Sequence, residues 1–419
     1  MKRRTLADWL AWQESQNPAE IELGLERVQA VLARLEPKPA PAVLTVGGTN
    51  GKGSTVGFLD RVLRAGGLRT GVYTSPHLRR YNERIRIDGI PVTDAELTRA
   101  FRRVDAARGD TPLTYFEFGT LAAWQCFSAA QLDAWVLEVG LGGRLDAVNA
   151  IDPQVSLVTT VDFDHQDYLG DTLEEIAAEK AGIFRSGRPA LYGDAPVPSA
   201  ITDRAVQIDA PLSCWGRDFS ARRWAGAWEW RGRAANLADL PMPEPGDDAQ
   251  LRNASLALAA LEQLDPALLD YESVVTGLTA PPPAGRFQRI GSRPEWLLDV
   301  AHNPQAARVL ADRCRSLPAV SETIIVLGLL ADKSVDGVVA ALAAVEPAGW
   351  ICCTPDHLRG RESARLAARL RELGHDAQDA GLVSDALTRA GVISGPAARI
   401  IVCGSFSVVG PALDWLAVP

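Results

Sequence analysis

An apolar run over residues 42–46 empties into Gly47, Gly48, Thr49, Asn50, Gly51, Lys52, Gly53, Ser54 and Thr55, and an amphipathic stretch over 54–65 follows until Gly66 and Gly67 stop it. Strand, glycine-rich turn and helix in that order predict a parallel sheet whose first crossover helix starts at the turn. Gly48, Gly51 and Gly53 let the backbone turn tightly and bring several N–H groups onto an anion, which is how a phosphate chain is cradled. Lys52 can then reach the outer phosphates, and Ser54 or Thr55 offers a hydroxyl to Mg²⁺. In the common form of this loop the hydroxyl residue directly follows the lysine. Here Gly53 intervenes, which implies a different P-loop lineage. The plainer reading, a glycine turn with a solvated lysine, is disfavoured by the flanking strand and helix.

At 419 residues the chain exceeds what one core usually supports, so two domains are expected. Further strand-like runs at 70–73, 134–139 and 155–160 alternate with helical stretches, the pattern of a doubly wound α/β sheet whose carboxyl ends line one site. Residues 213–240 differ: Trp215, Trp224, Trp228 and Trp230 alternate among arginines and glycines as in a small antiparallel ribbon. Aromatic residues among arginines also suit single-stranded nucleic acid, but a net charge of −9 and the lack of a wider basic track argue against that partner. A helix-like stretch over 253–264 completes the first domain. Pro281, Pro282 and Pro283 can continue neither helix nor central strand and mark the boundary. The fold class expected is α/β: residues 1–284 as a P-loop parallel-sheet domain carrying the ribbon, and 285–419 as a smaller Rossmann-like α/β domain, with a cleft between them. Strands of the second are expected at 295–300, 323–327, 350–353 and 399–403.

The N-terminus is basic, but no long apolar segment follows it, and no run approaches the length of a membrane span. A cytoplasmic protein is expected. Cys126, Cys214, Cys314, Cys352, Cys353 and Cys403 show no metal-ligand spacing, and the last three lie in buried-looking runs.

Several polar residues fall at predicted strand ends. Glu138 closes the run at 134–139 and is well placed to hold Mg²⁺ beside the P-loop, the alternative being pairing with a buried arginine. His165, next to Asp164, is either a divalent-cation ligand or structural; Asp164 is expected to orient it. Thr172 and Glu175 spell a capping box, and Lys180, near that helix's end, is explained by its favourable place in the helix dipole. In the second domain Asp299 and His302 follow one strand, Ser405 follows another, and Arg286 stands at the hinge. Asp299 suits a ribose or an arginine, and Arg286 suits a phosphate.

Taken in order, residues 48–54, 75–78, 115–119, 137–146, 179–184, 285–288, 299–304 and 403–406 resemble, along nearly the whole chain, the folylpolyglutamate synthase family of the Mur ligase superfamily. The intervening Gly53 is what that family shows. The resemblance implies an ATP-dependent amide ligase that phosphorylates a carboxylate of 7,8-dihydropteroate or of a reduced folate and couples it to L-glutamate. It implies ATP, one or two Mg²⁺, a monovalent cation and a carbamylated Lys180, which replaces the helix-dipole account of that residue. It assigns Lys52, Lys180 and His302 to catalysis. Asn50, Gly51, Lys52, Gly53, Ser54, Thr55, Asn253, Arg286 and Asp299 are assigned to ATP, and Ser54, Glu138 and His165 to the metal. The pterin substrate falls to Gly24, Leu25, Glu26, Arg27, Leu113, Thr114, Tyr115, Phe116, Leu145, Asp146 and Ala147, while His302 and Ser405 place the incoming glutamate. A monomer without nucleic acid or membrane partners is implied. Other readings are a monofunctional folylpolyglutamate synthase, a ligase for cell-wall peptide precursors, against which residues 75–78 and 115–119 argue, and a non-catalytic nucleotide-binding switch.

Overall fold

The computed structural model describes residues 4–16, 22–35, 42–224 and 226–418. The chain divides into two compact units, Met1–Pro281 and Pro282–Pro419, at the proline run.

In the first unit one sheet is built from β1 (Ala42–Gly47), β2 (Thr70–Tyr73), β3 (Ile85–Ile87), β4 (Ile90–Pro91), β5 (Ala134–Glu138), β6 (Val155–Val158), β7 (Ala190–Tyr192) and β8 (Leu212–Cys214). Its order is β4-β3-β2-β5-β1-β6-β7-β8. The strands from β2 to β8 in that order run parallel, and β3 and β4 are antiparallel additions at one edge. Alternation along the central strands sends side chains into two cores. Leu44, Val46 and Val136 meet Val56, Phe58 and Leu59 of the helix Lys52–Ala65, while Val43, Trp135 and Leu137 face Phe118 and Leu121 of the helix Tyr115–Ala130. Burial on both faces is why these strands read as unbroken apolar runs. The order reverses at β1, so the carboxyl ends of β1, β5 and β6 open the crevice where such sheets bind ligands. Register fixes it: Val46 lies opposite Glu138, and Gly47 opposite Val158.

Three short strands, β9 (Ser220–Trp224), β10 (Ala227–Arg231) and β11 (Asn236–Pro241), form the antiparallel ribbon in the order β11-β10-β9. Trp228 and Trp230 are wholly buried on one face, their indole N–H groups donating to the carbonyls of Pro241 and Ser255 at 2.9 and 3.2 Å. Trp224 is half exposed, and Trp215 lies outside the ribbon, against Phe219 after β8. So two tryptophans, not four, anchor the ribbon.

The second unit holds β12 (Gln288–Ile290), β13 (Glu295–Asp299), β14 (Thr323–Leu327), β15 (Gly349–Thr354), β16 (Ala377–Leu382) and β17 (Arg399–Cys403), ordered β12-β13-β17-β14-β15-β16. All pairs are parallel except β12 with β13. Cys403 lies opposite both Asp299 and Leu327, which puts the turns after β13 and β17 on one edge.

Trp230→Ala removes a fully buried indole from between ribbon and helix, so the first unit should lose about 3–5 kcal/mol of stability. Chemical denaturation followed by tryptophan fluorescence measures this; an unmoved first transition would mean that the ribbon is not part of that unit's core.

Candidate active site

The glycine loop is shaped by what packs beneath it. Gly48 and Gly51 have φ of 139° and 85°, and a Cβ would lie 1.8 Å from the Thr159 hydroxyl at the first and 2.5 Å from the Asn253 amide oxygen at the second. Neither position admits a side chain. The Thr160 hydroxyl accepts from the Asn50 N–H at 3.1 Å, and the Thr159 hydroxyl donates to the Asn50 carbonyl. The loop is thus held from the turn after β6, which also takes the Thr49 N–H on the Thr160 carbonyl at 2.9 Å. The Lys52 ammonium folds back to donate to the carbonyls of Gly48 and Thr49 at 2.9 and 3.2 Å. No side chain caps the helix Lys52–Ala65, which leaves its first-turn N–H groups for an anion.

Asn253, on the helix Asp248–Leu264, is therefore brought against the loop as expected, and Gln250, one turn earlier, donates to the Ser54 hydroxyl at 3.3 Å. Thr55 is fully buried, whereas Ser54 retains some exposure, so Ser54 is the hydroxyl that a hydrated metal can reach. Glu138 ends β5 nearly buried, and one of its oxygens accepts the Ser75 N–H at 3.3 Å. His165 adopts a left-handed φ of 51°, and the Asp164 carboxylate accepts its N–H at 2.9 Å and lies 3.9 Å from its ring Nε2. Asp164 thus holds the His165 backbone, and its carboxylate lies near the ring without a hydrogen bond to Nε2.

Among the described residues no three His, Cys, Asp or Glu side chains gather into a metal cage. Mg²⁺ rarely uses one: it takes one or two protein donors and completes its octahedron with phosphate oxygens and water. The Ser54 hydroxyl and the Glu138 carboxylate fit that habit, and the His165 imidazole would be a third, softer donor.

Lys180 is buried on the helix Leu173–Ala181, whose capping box, Thr172 with Glu175, forms as the sequence predicts. Its amine is pushed down to about 7, by burial first and the Lys52 charge second, against the pull of Asp164, Glu179 and Asp146. Lys180 thus stands in the last turn of its helix, where the sequence puts it, but buried, with an amine that holds its proton far less tightly than an ordinary lysine.

The three segments expected at the pterin converge. The Gly24 N–H donates to the Leu145 carbonyl at 3.3 Å. A Cβ on Gly140 would lie 2.6 Å from the Phe116 ring and 3.2 Å from an Asp146 oxygen. Burial pushes Asp146 up to about 6, against the pull of the Leu141 and Val148 N–H groups, which donate at 2.8 and 3.0 Å. Leu113, Thr114 and Ala147 are buried; Thr114 caps the helix Tyr115–Ala130 with Glu117, and Arg27 pairs with Glu117 at 2.9 Å. Leu25 is half-buried, and Glu26 is exposed at the start of the helix Glu26–Leu35. Thr159 and Gln250 stand outside the residues that the sequence singles out, and only their packing against Gly48, Asn50 and Ser54 reveals them.

In the second unit both Asp299 oxygens accept backbone N–H groups, from Phe287 and Ala301 at 2.8 Å each, with Arg313 at 3.9 Å. This carboxylate shapes the turn after β13 and keeps lone pairs in reserve. The Arg286 guanidinium lies over the Phe406 ring at 5.4 Å, His302 Nδ1 is 2.9 Å from the Val300 carbonyl, and the Ser405 hydroxyl caps the helix Phe406–Trp415. Arg286, Asp299, His302 and Ser405 thus lie around one sheet edge.

A P-loop sheet followed by a second α/β unit is the plan of a Mur-type ligase. The family description "Mur ligase middle domain" matches residues 46–193, and "Mur ligase, glutamate ligase domain" matches 285–406. A dihydrofolate synthase/folylpolyglutamate synthase of Escherichia coli K12 is 40% identical over 98% of this chain and 95% of its own length. The structure of E. coli FolC in complex with DHPP and ADP superposes with a TM-score of 0.93, at 40% identity and covering 99% of this chain and 98% of that one. A bifunctional folylpolyglutamate synthase/dihydrofolate synthase with Mn, AMPPNP and L-glutamate bound gives 0.91 at 41% identity, covering 99% and 98%. The chain belongs to the dihydrofolate synthase/folylpolyglutamate synthase family.

Gly51→Ala forces a side chain into a left-handed turn against Asn253, so ATP affinity should fall by about tenfold or more, a loss of about 1.4 kcal/mol, with the fold intact by circular dichroism. Unchanged nucleotide titration would refute the loop geometry. For Lys180, the unfolded chain binds the extra proton between about pH 7 and 10.5, so stability rises with pH across that window and the burial penalty is complete below it. Lys180→Met should raise the unfolding midpoint of ligand-free protein near pH 6, with the gain shrinking towards pH 10; a gain independent of pH would contradict a buried, proton-losing lysine.

Proposed function

We propose that this protein is an ATP-dependent carbon–nitrogen ligase that adds L-glutamate to 7,8-dihydropteroate, forming dihydrofolate, and to reduced folates, forming folylpolyglutamates. The observation that carries the reading is one sheet edge: the phosphate loop leaves β1, Glu138 ends the neighbouring β5, and two residues later Gly140 carries the Phe116 and Asp146 wall. Nucleotide, metal and acceptor carboxylate therefore meet without any long reach.

In the first step a carboxylate oxygen of the acceptor attacks the γ-phosphorus of ATP, ADP leaves and an acyl phosphate forms. Lys52 and the loop N–H groups neutralise and align the transferring phosphoryl group, which needs placement more than covalent help. Ser54, Glu138 and His165 would hold Mg²⁺, which would supply Lewis-acid charge neutralisation when bound. In the second step the glutamate nitrogen attacks the acyl carbon, phosphate leaves, and the new amide loses its proton. Phe116 gives the pterin an apolar face, and Asp146 accepts from its donor edge. Asn253, Arg286 and Asp299 contact the nucleotide, His302 and Ser405 position glutamate, and residues 24–27 close the pterin site through the Gly24 link to Leu145.

Lys180 is carbamylated in this reading. Its neutral amine attacks CO₂, loses a proton and becomes a carboxylate beside Lys52, which turns a cation–cation clash into an attraction. A monovalent cation beside the nucleotide phosphates completes the cofactors. The chain acts as a monomer in the cytoplasm, where its six free, buried cysteines stay reduced. No helix among the described residues is long and apolar enough to cross a membrane.

ADP release with ATP, Mg²⁺ and L-glutamate, plus either 7,8-dihydropteroate or tetrahydrofolate, with products identified by mass, tests the reading. Turnover of both acceptors is expected, and Glu138→Ala should lower kcat by about 10²-fold or more. Turnover of tetrahydrofolate alone would leave a monofunctional folylpolyglutamate synthase.

A further inference from the structure

Beside the Tyr115 and Phe116 segment lies a polar cluster that the ligase reading leaves without a task. Arg84, at the end of the short turn Tyr81–Arg84, is 8% exposed. Its Nε donates to His77 Nδ1 at 2.9 Å, and its guanidinium lies over the rings of Tyr81 and Tyr115 at 5.2 and 5.6 Å. Since Nδ1 accepts, the imidazole is neutral with its proton on Nε2, in keeping with a His77 pushed down to about 4 by burial and by Arg84. Among the described residues no carboxylate is paired with Arg84. A guanidinium withdrawn from water without a counter-ion is costly, and two ring faces, the His77 nitrogen and a hydrogen bond with the Tyr73 hydroxyl, all neutral partners, offset only part of that cost. The Tyr81 hydroxyl beside it is also buried without a hydrogen-bond partner.

This cluster is continuous with the acceptor wall. Tyr115 meets Tyr81 edge-on at 5.5 Å, Phe116 lies 6.0 Å from Tyr73, and the Tyr73 and Tyr81 hydroxyls crowd the same face of Gly119. It also stands away from the phosphates. Arg84 leads into β3, and β2 and β5 separate β3 from β1 in the sheet. The carboxylate that reacts must sit at the phosphate loop, so the anion suited to Arg84 is a different one.

Resting on the proposed reaction, we infer that Arg84 is a substrate-binding residue that takes the non-reacting α-carboxylate of the glutamyl tail, a group that reduced folates carry and dihydropteroate lacks. His77 fixes the plane of the guanidinium, and Tyr81 and Tyr115 exclude water from the pair. One site then serves both acceptors, and Arg84 contributes to only one of them.

The test compares KM and kcat of the full-length protein for 7,8-dihydropteroate, tetrahydrofolate and tetrahydrofolate α-amide. With the unaltered protein the α-amide should show a KM about ten- to a hundredfold above that of tetrahydrofolate, the worth of one charge-assisted hydrogen-bonded pair. Arg84→Gln should raise the tetrahydrofolate KM by a similar factor, leave the dihydropteroate KM in place, and abolish the difference between acid and amide; Arg84→Lys should restore part of it. Equal KM values for acid and amide on the unaltered protein, or equal losses for both acceptors in Arg84→Gln, would overturn the assignment. The α-amide comparison needs no variant, so it stands even if Arg84→Gln does not fold. If the unaltered protein turns over neither acceptor, it is the proposed reaction that fails.

Discussion

The backbone of the phosphate loop can approach a ligand only because it is held from behind by the turn after β6. Thr159 and Thr160 bond Asn50, and the Thr159 hydroxyl occupies the space that a Cβ on Gly48 would need. Remove that support and the loop becomes an ordinary flexible glycine turn, whose N–H groups would have to be ordered by the ligand at an entropic cost on every binding event. Preorganisation explains why the rest of the unit is arranged as it is. β6 must lie next to β1, and Asn253 must pack on Gly51 from the helix Asp248–Leu264, to which the ribbon's Trp230 is bonded at Ser255. The residues nearest the chemistry and the most deeply packed residues of the ribbon belong to one mechanical chain.

The second constraint is electrostatic. Lys52 and Lys180 share a neighbourhood in which each disfavours the other's charge. Of the two, Lys52 is half-buried, donates to two loop carbonyls and faces the phosphates, whereas Lys180 is almost wholly enclosed. Lys180 is therefore the one whose proton is held less tightly. A buried lysine whose proton is held this loosely is a better nucleophile than a solvated one. Asp146 obeys the same logic with opposite sign: desolvation raises it, while N–H groups from Leu141 and Val148 pull it back.

Much of this was legible in the sequence because the central strands are buried on both faces and their ends carry the polar residues. The runs at 42–46, 70–73 and 134–139 became β1, β2 and β5 almost residue for residue, while residues 159 and 160, expected at the end of β6, instead form the turn that supports the loop. What escaped was short or at an edge. β3, β4, β7, β8, β12 and β16 are weakly apolar or only two to six residues long, and their pairing is set by neighbours distant in sequence. Lys180 was misjudged by composition because helix position says nothing of burial, and only the family resemblance pointed to its chemistry. Trp215 misled for the converse reason: even spacing of tryptophans suggested one ribbon face, but the β8 edge strand claims the residues before it.

A site that must accept both a short acceptor ending in a benzoate and a longer one ending in a glutamyl group faces a geometric problem, since the reacting carboxylate has to reach the same phosphate in each. Rigid aromatic walls at Phe116 and Tyr73 cannot solve it by moving, because Tyr73 is wholly buried and Gly119 leaves no slack beneath the tyrosine hydroxyls. The adjustable element has to be charge. A cation set apart from the phosphate loop does nothing for the acceptor with a single carboxylate and anchors the one with a second carboxylate, so one set of walls can serve both. On the inferred role, the Arg84 guanidinium, bonded to neutral partners but to no carboxylate among the described residues, is to the folate tail what Lys52 is to the phosphates: a charge fixed before its partner arrives.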